Sequence, residues 1–596
     1  MARNALGIVA GTLGLAIATT LGSSTVALGQ SPAQTPIPSN LSVVGKRPAA
    51  VHSSVIVVRP ARWKWALEPW IAYRSSEYQV IEIDSQPTAD QQQQAIRHAA
   101  KNCHPPAAAV LLCGDVAVES DAIDVDPATR HGTTGPNANK AKRRIEILTP
   151  GMVLDTTVRL GPLTTPTLCT DATFGDLDGD GCPDLAVGRL PAKSPTELRR
   201  MLDRSVLYES VIPGPWNDTV HVTAGVGGFG VLADTAIETV TRRFLTEGIP
   251  DHFRLQMTYA SCTSTYCPNP LRLRDAYIER INGGGLFWVY IGHGAVTHLD
   301  YMQAGNAWLP IGEPDDTGRF RIRSRPPIAI MLACFTGAYD ANVDCFAERL
   351  LAEESGPVAV IAGSRVTMPY GLSQLASEMI NGCFRDRIAT LGDVVLQAKR
   401  RIWIDDTHGD QQPLSDPRIS SNERIDIRQR YRKIITDMAI ALNPGEHDLL
   451  AERREHVRLM NLLGDPLLKI PYPDTIDIES PDSIAPGERL SLRGNSPIGG
   501  NLVVEVALVR DRLPEGIVPI STYDGSPGQL DQMQTTYQSA NDLRIARFEQ
   551  IVAPGIFEAT IDIPPDSKGR HVISIYVYGR DRWGVGSRRL VVRKAK

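Results

Sequence analysis

The sequence predicts an α/β protein with mostly parallel sheets in two halves, followed by an all-β sandwich of the immunoglobulin-like type. Three observations carry this. Between residues 51 and 473, short and almost continuously apolar segments alternate with segments of helical period, the pattern of parallel strands covered by helices on both faces. After Ile470-Pro471-Tyr472-Pro473 the texture changes to short alternating segments broken by Gly, Pro and Asp. The length of 596 residues exceeds the roughly 250 to 300 that one hydrophobic core organises, so several units are expected.

Residues 1–29 carry a single Arg3, an apolar run from Ala5 to Leu21 and Ala27-Leu28-Gly29 before Gln30, the layout of a secretory signal. An uncleaved N-terminal anchor is the rival reading, and it is the one membrane span the sequence offers. Either way the bulk of the chain leaves the cytosol for a secreted, periplasmic or cell-surface location. Residues 30–50, with Pro32, Pro36, Pro38 and Pro48 among Ser and Gln, read as a linker. Order begins near Val51, which leaves no large N-terminal propeptide.

In the first half, residues 51–215, apolar runs at 55–58, 78–83 and 107–113 predict buried strands. Thr88 and Gln91 form a capping-box pattern ahead of Ala95, Ile96, Ala99 and Ala100. A strand at 185–187 precedes Ser194-Pro195-Thr196-Glu197, a helix start whose following face carries Leu198, Met201, Leu202 and Val206. In the second half, residues 216–473, a strand at 220–224 runs into a Gly-rich turn and a helix over 232–245. Strands at 255–259 and 286–291 then flank a helix over 271–281, and strands at 328–332 and 358–362 flank one over 346–353. The sandwich, residues 474–596, takes strands at 476–478, 490–492, 502–509, 556–563 and 571–578. Its stretch 523–542, rich in Gln, Ser and Gly, reads as a long loop.

Charge excludes one class of partner. Lys plus Arg is 62 against Asp plus Glu 67, a net charge of -5, which gives no electrostatic case for nucleic acid. The nine cysteines are an odd number for an exported chain. Their spacing suggests local disulfides between Cys169 and Cys182 and between Cys262 and Cys267. Zinc at Cys262 and Cys267 lacks a second pair of ligands at suitable spacing, and His104 and His298, also without partners, read as surface or cleft residues.

In doubly wound sheets, function gathers beyond the carboxyl ends of the strands. FWVYIGHG ends in Gly292-His293-Gly294, and IAIMLACFTG delivers Ala333-Cys334. A thiolate is a nucleophile, and an imidazole can take the thiol proton and later protonate a leaving amine. The amides of Gly294 and Cys334 are candidates for an oxyanion site. The bland alternative is a buried thiol and a histidine in a glycine turn. A second constellation is DLDGDGCPD, in which Asp176, Asp178, Asp180 and Asp184 resemble a calcium loop. Position twelve of that loop is Val187, so it is not a complete EF-hand, and a plain polar turn is the alternative.

The chain resembles the gingipain-type cysteine peptidases, whose catalytic fold is caspase-like. The resemblance runs over about residues 55–472 and rests on AVLLCGD (109–115), DLAVGRLP (184–191), VYIGHG (289–294), MLACFTG (331–337), CFAE (345–348), VAVIAGS (358–364) and LLGDPLL (462–468). It implies that His293 and Cys334 are catalytic, that proteins or peptides are the substrates, and that an immunoglobulin-like domain follows. No cofactor is implied for the chemistry. Arginine-specific members place a Glu in the Gly-rich turn to support the His, and the matching position here is Val226. Asp234 lies close to where those members carry their acidic specificity residue. The departure at Val226 keeps open a second function, an inactive surface module that binds protein or glycan.

Overall fold

Runs such as SSVIVVR and AAAVLLC have no polar face, so they are stable only as strands covered on both sides. The computed structural model describes residues 52–116, 148–158, 165–225, 248–322, 325–404, 448–517 and 520–593. Its first half alternates as predicted through β1 (Ser53–Arg59), α1 (Lys64–Arg74), β2 (Tyr78–Asp84), α2 (Ala89–Asn102) and β3 (Ala107–Cys113). An antiparallel pair, β4 (Met152–Asp155) with β5 (Thr167–Thr170), precedes β6 (Ala186–Leu190) and α3 (Pro195–Ser210). Both capping signals are real: Thr88 Oγ1 accepts the Gln91 N–H at 3.3 Å and Ser194 Oγ accepts the Glu197 N–H at 3.2 Å.

The second half supplies β7 (Thr219–Ala224), β8 (Arg254–Tyr259), α4 (Leu273–Asn282), β9 (Phe287–Ile291) and a hairpin of β10 (Tyr301–Ala304) with β11 (Ala307–Pro310). Then follow β12 (Ile328–Leu332), α5 (Phe346–Ala352), β13 (Ala359–Gly363), α6 (Pro369–Ile380), α7 (Leu391–Trp403), α8 (Leu449–Leu459) and β14 (Met460–Leu463). The helix predicted over 232–245 lies outside the described residues, as do the signal and linker segments.

Ten of these strands form one sheet in the order β2-β1-β3-β6-β14-β13-β12-β9-β7-β8. Every neighbouring pair is parallel except β13 with β14. The two predicted halves are therefore the flanks of a single sheet, joined where β14, late in the chain, lies beside β6 from the first half. Alternate residues feed different cores. Val55, Val57, Leu111, Trp288, Tyr290 and Met331 face α1, α3, α4 and α5, while Val222, Val289, Ile330 and Ile361 face α6 and α7. Among the described residues no helix is long and apolar enough to cross a membrane.

The sandwich comprises β15 (Asp474–Thr475), β16 (Asp477–Glu479), β17 (Ser483–Ile484), β18 (Arg489–Ser496), β19 (Gly500–Leu508), α9 (Pro527–Ala540), β20 (Arg544–Val552), β21 (Gly555–Asp562), β22 (Gly569–Tyr578) and β23 (Trp583–Val592). One sheet runs β15-β23-β22-β19-β20 and the other β16-β18-β21, around a shared core. The expected long loop at 523–542 is instead largely α9. Ser526 caps it by accepting the Gln529 N–H, Pro527 occupies its first turn, and Met533, Tyr537 and Ala540 recur at helical spacing as its buried face. A polar composition concealed that stripe.

Neither expected disulfide is formed, since all nine cysteines are free thiols. Cys169 is sealed in the core beside Tyr339, away from the half-exposed Cys182 in its loop. Cys262 and Cys267 are both buried, and the Cys262 thiol points at the Gln303 carbonyl at 3.6 Å.

Candidate active site

Strand register brings the two predicted residues together. In the parallel pair β9 and β12, Ile291 lies opposite Leu332, so His293 and Cys334 each stand two residues past paired positions. Both line one cleft of about 970 Å³. Glycine permits the close approach: a Cβ on Gly294 would lie 2.7 Å from the Cys334 carbonyl oxygen and 2.7 Å from Thr336 Cγ2. A Cβ on Gly292 would lie 3.0 Å from Gly225 Cα, at the end of β7. The His turn thus packs backbone to backbone against both neighbours. The buried Tyr290 steadies it from below by donating its hydroxyl to the His293 carbonyl at 2.7 Å.

The cysteine turn is held in an uncommon conformation. Phe335, directly after the thiol, has φ 57°, in the left-handed region that side chains seldom occupy. Its N–H donates to the Arg365 carbonyl at 3.1 Å, and the Gly337 N–H donates to the Gly363 carbonyl at 2.9 Å. Arg365 is itself fixed, with its guanidinium on the Asp340 carboxylate at 2.8 and 2.5 Å and on the Thr167 carbonyl at 3.0 Å. Neither the Gly294 nor the Cys334 amide is engaged by another backbone carbonyl among the described residues.

Thr367, past the end of β13, is the neighbour that touches the thiol. Its N–H points at Cys334 Sγ at 3.3 Å, with its hydroxyl oxygen at 3.6 Å and its carbonyl oxygen at 3.7 Å. The next residue is tied to a fully buried histidine of α8. The Met368 N–H donates to His456 Nε2 at 3.0 Å, while His456 Nδ1 lies 2.8 Å from the Glu452 carbonyl. These partners assign the proton to Nδ1. Burial pushes the His456 pKa down, which keeps the ring neutral and Nε2 free to accept. Reading polar residues at strand ends would have found Thr367 had it been extended to β13. His456 carries no local sequence signal.

Of the four loop aspartates, Asp176, Asp178 and Asp184 bring carboxylate oxygens within 4.8 Å of one another. Asp180 is not among them, and its carboxylate accepts the Cys182 N–H at 2.7 Å. The loop also binds its own backbone, with Asp176 accepting from Gly179 at 2.6 Å and Gly181 at 3.0 Å, and Asp184 from Leu177 at 2.9 Å. Val226 and Asp234 lie outside the described residues. His104 is exposed, and His298 rests against Tyr301.

A doubly wound domain that presents a thiol and an imidazole at equal height, on adjacent parallel strand ends, defines a class of site suited to nucleophilic catalysis. The chain belongs to peptidase family C25, whose sequence model matches residues 49–471. It is 26% identical over 210 residues to Gingipain R2 of Porphyromonas gingivalis, a match covering 34% of this chain and 26% of that protein, so the chain spans about a quarter of that relative's length. Among solved structures, it is similar to the Arg specific cysteine proteinase gingipain R (RGPB), with TM-score 0.46 and 15% identity, covering 91% of this chain and 98% of the other. The complex of Porphyromonas gingivalis RgpB pro- and mature domains matches with TM-score 0.45 and 16% identity, covering 91% and 100%.

Proposed function

We propose that the chain is an exported cysteine endopeptidase in which Cys334 is the nucleophile and His293 its base. The observation that supports this is the pairing of Ile291 with Leu332, two residues before His293 and Cys334, together with the one cleft that both residues line. His293 takes the thiol proton, and the thiolate attacks the scissile carbonyl. The developing oxyanion is received by the amides of Gly294 and Cys334. The imidazolium then protonates the leaving amine, and a water activated by the same ring hydrolyses the thioacyl intermediate. The N–H of Thr367 favours the thiolate over the thiol.

With Val226 where arginine-specific gingipains carry Glu, the pair works as a dyad, because the carboxylate of a triad orients the imidazole and does not attack. Asp234 is assigned to the specificity pocket on the resemblance alone. Export rests on residues 1–29, and structural calcium on the loop of Asp176, Asp178 and Asp184. The rival, an inactive binding module, is favoured by Val226. A peptidyl electrophile separates the two: it should label Cys334 covalently in the full chain and fail to do so in His293→Ala. Absence of labelling in the folded wild-type protein would favour the inactive module.

A further inference from the structure

Resting on the peptidase reading, we propose that the sandwich sets the shape of the substrate cleft: α9 clamps the hydroxyl-rich loop 261–266, and that loop is a wall that binds extended polypeptide. The loop follows β8, the edge strand of the large sheet. It stands in one row with the reacting groups, since the Ala260 N–H donates to the Ala224 carbonyl at 2.9 Å and the Gly225 N–H to the Ile291 carbonyl at 2.7 Å. Ser261, Thr263, Ser264, Thr265 and Tyr266 line the same cleft as His293 and Cys334. The alternate side of the loop, Ala260, Cys262 and Cys267, is buried in a core shared with Met533 of α9.

The clamp reaches both ends of this loop. Asn541, at the C-terminus of α9, accepts the Met257 N–H at 2.6 Å and donates its amide to the Met257 carbonyl at 2.9 Å, bonding the edge strand as a further strand would. The Tyr537 hydroxyl lies 2.8 Å from Thr258 Oγ1 and receives the Arg280 Nε–H at 2.5 Å, with that guanidinium 4.5 Å from the Tyr537 ring. Beyond the loop, the Asn269 N–H donates to Gln534 at 3.3 Å. α9 itself is inserted between β19 and β20, paired antiparallel strands that a hairpin of a few residues would join. The added length goes to the peptidase domain. A wall of hydroxyls in the cleft of His293, separated from it by the width of β7, suits the N–H and C=O groups of a substrate backbone running away from the scissile bond, so a long polypeptide gains contacts there that a single aminoacyl amide lacks.

The test uses the full chain carrying Tyr537→Phe with Asn541→Ala, which removes the clamp's hydrogen bonds to Met257 and Thr258 of β8 and opens little space. Hydrogen exchange over residues 257–269 should accelerate about tenfold. Hydrolysis of denatured casein should lose about tenfold in kcat/KM, mainly through KM, while a mixture of fluorogenic aminoacyl amides changes less than about twofold and iodoacetamide alkylates Cys334 at the wild-type rate. In a second variant, Thr263→Val with Thr265→Val, casein hydrolysis should fall with exchange unchanged. Unchanged exchange in the first variant overturns the clamp. Faster exchange with unchanged casein hydrolysis, or an equal loss of casein, amide and alkylation rates, overturns the wall. A wild-type chain that is alkylated yet cleaves neither substrate overturns the peptidase reading itself.

Discussion

A thiol acts as a nucleophile only once ionised, so the donor that meets Sγ matters beside the base that removes its proton. Cys334→Ala should leave a folded protein without hydrolytic activity, because a small side chain at a strand end contributes little packing; activity near wild type would remove Cys334 from the nucleophile role. The Thr367 N–H is the donor here, and His456 fixes it at one remove through Met368. His456→Leu leaves the Met368 N–H buried without an acceptor, a loss of about 1 to 3 kcal/mol that shifting the segment relieves. We expect kcat to fall about tenfold with KM within twofold, and alkylation of Cys334 at neutral pH to slow. His456→Gln, whose amide oxygen can accept the same N–H, should recover most of both. Wild-type kcat and alkylation in a folded His456→Leu protein would confine that histidine to the fold. His293 and Cys334 were legible in the sequence because glycines and apolar strands frame them. His456 was not, because its partner Met368 is distant in sequence and the bond is to backbone.

Loops and short elements decide what surrounds that pair. The aspartate loop offers three converging carboxylates, while Asp180 is turned to the Cys182 amide. If only the folded chain holds calcium there, a chelator should lower Tm and excess calcium restore it, by about 2.7 kcal/mol at a hundredfold excess over Kd. Asp178→Ala should erase that response and Asp180→Ala preserve it. A Tm indifferent to chelator and calcium would leave a turn pinned by its own backbone bonds. The strands of the large sheet were legible because burial on both faces requires continuous apolar runs. β14 was not, since its four residues follow α8 without a turn signal, and α9 was hidden by its Gln and Ser content. The expected bond between Cys169 and Cys182 fails for a similar reason: spacing along the chain suggests the pair, but Cys169 belongs to a buried strand and Cys182 to a partly exposed loop.

At the scale of the whole molecule, the large sheet and the sandwich meet over a buried charge cluster. Asp218, just before β7, receives hydrogen bonds from Arg254 of β8 and from the Tyr578 hydroxyl of β22. Arg254 also donates to Glu505 of β19 at 3.1 Å and lies 4.5 Å from the Tyr576 ring. Glu505 in turn accepts from Arg547 at 2.6 Å. Full burial pushes the Asp218 pKa up from 3.8 to about 7, aided by Glu505 and opposed by Arg254 and Tyr578. The raised value fixes the sign of the effect. The folded protein holds this proton more tightly than the unfolded chain, so the associated stability is complete below about pH 4 and is lost as pH rises to about 7. Asp218→Asn keeps the shape and an oxygen for Tyr578 while removing the titration. Measured by calorimetry, the wild-type Tm should decline relative to Asp218→Asn between pH 4 and 7, and the two curves should run parallel above pH 8. Parallel curves from pH 4 upward would mean that Arg254 keeps Asp218 ionised throughout that range, and that the sandwich is docked there through an ion pair.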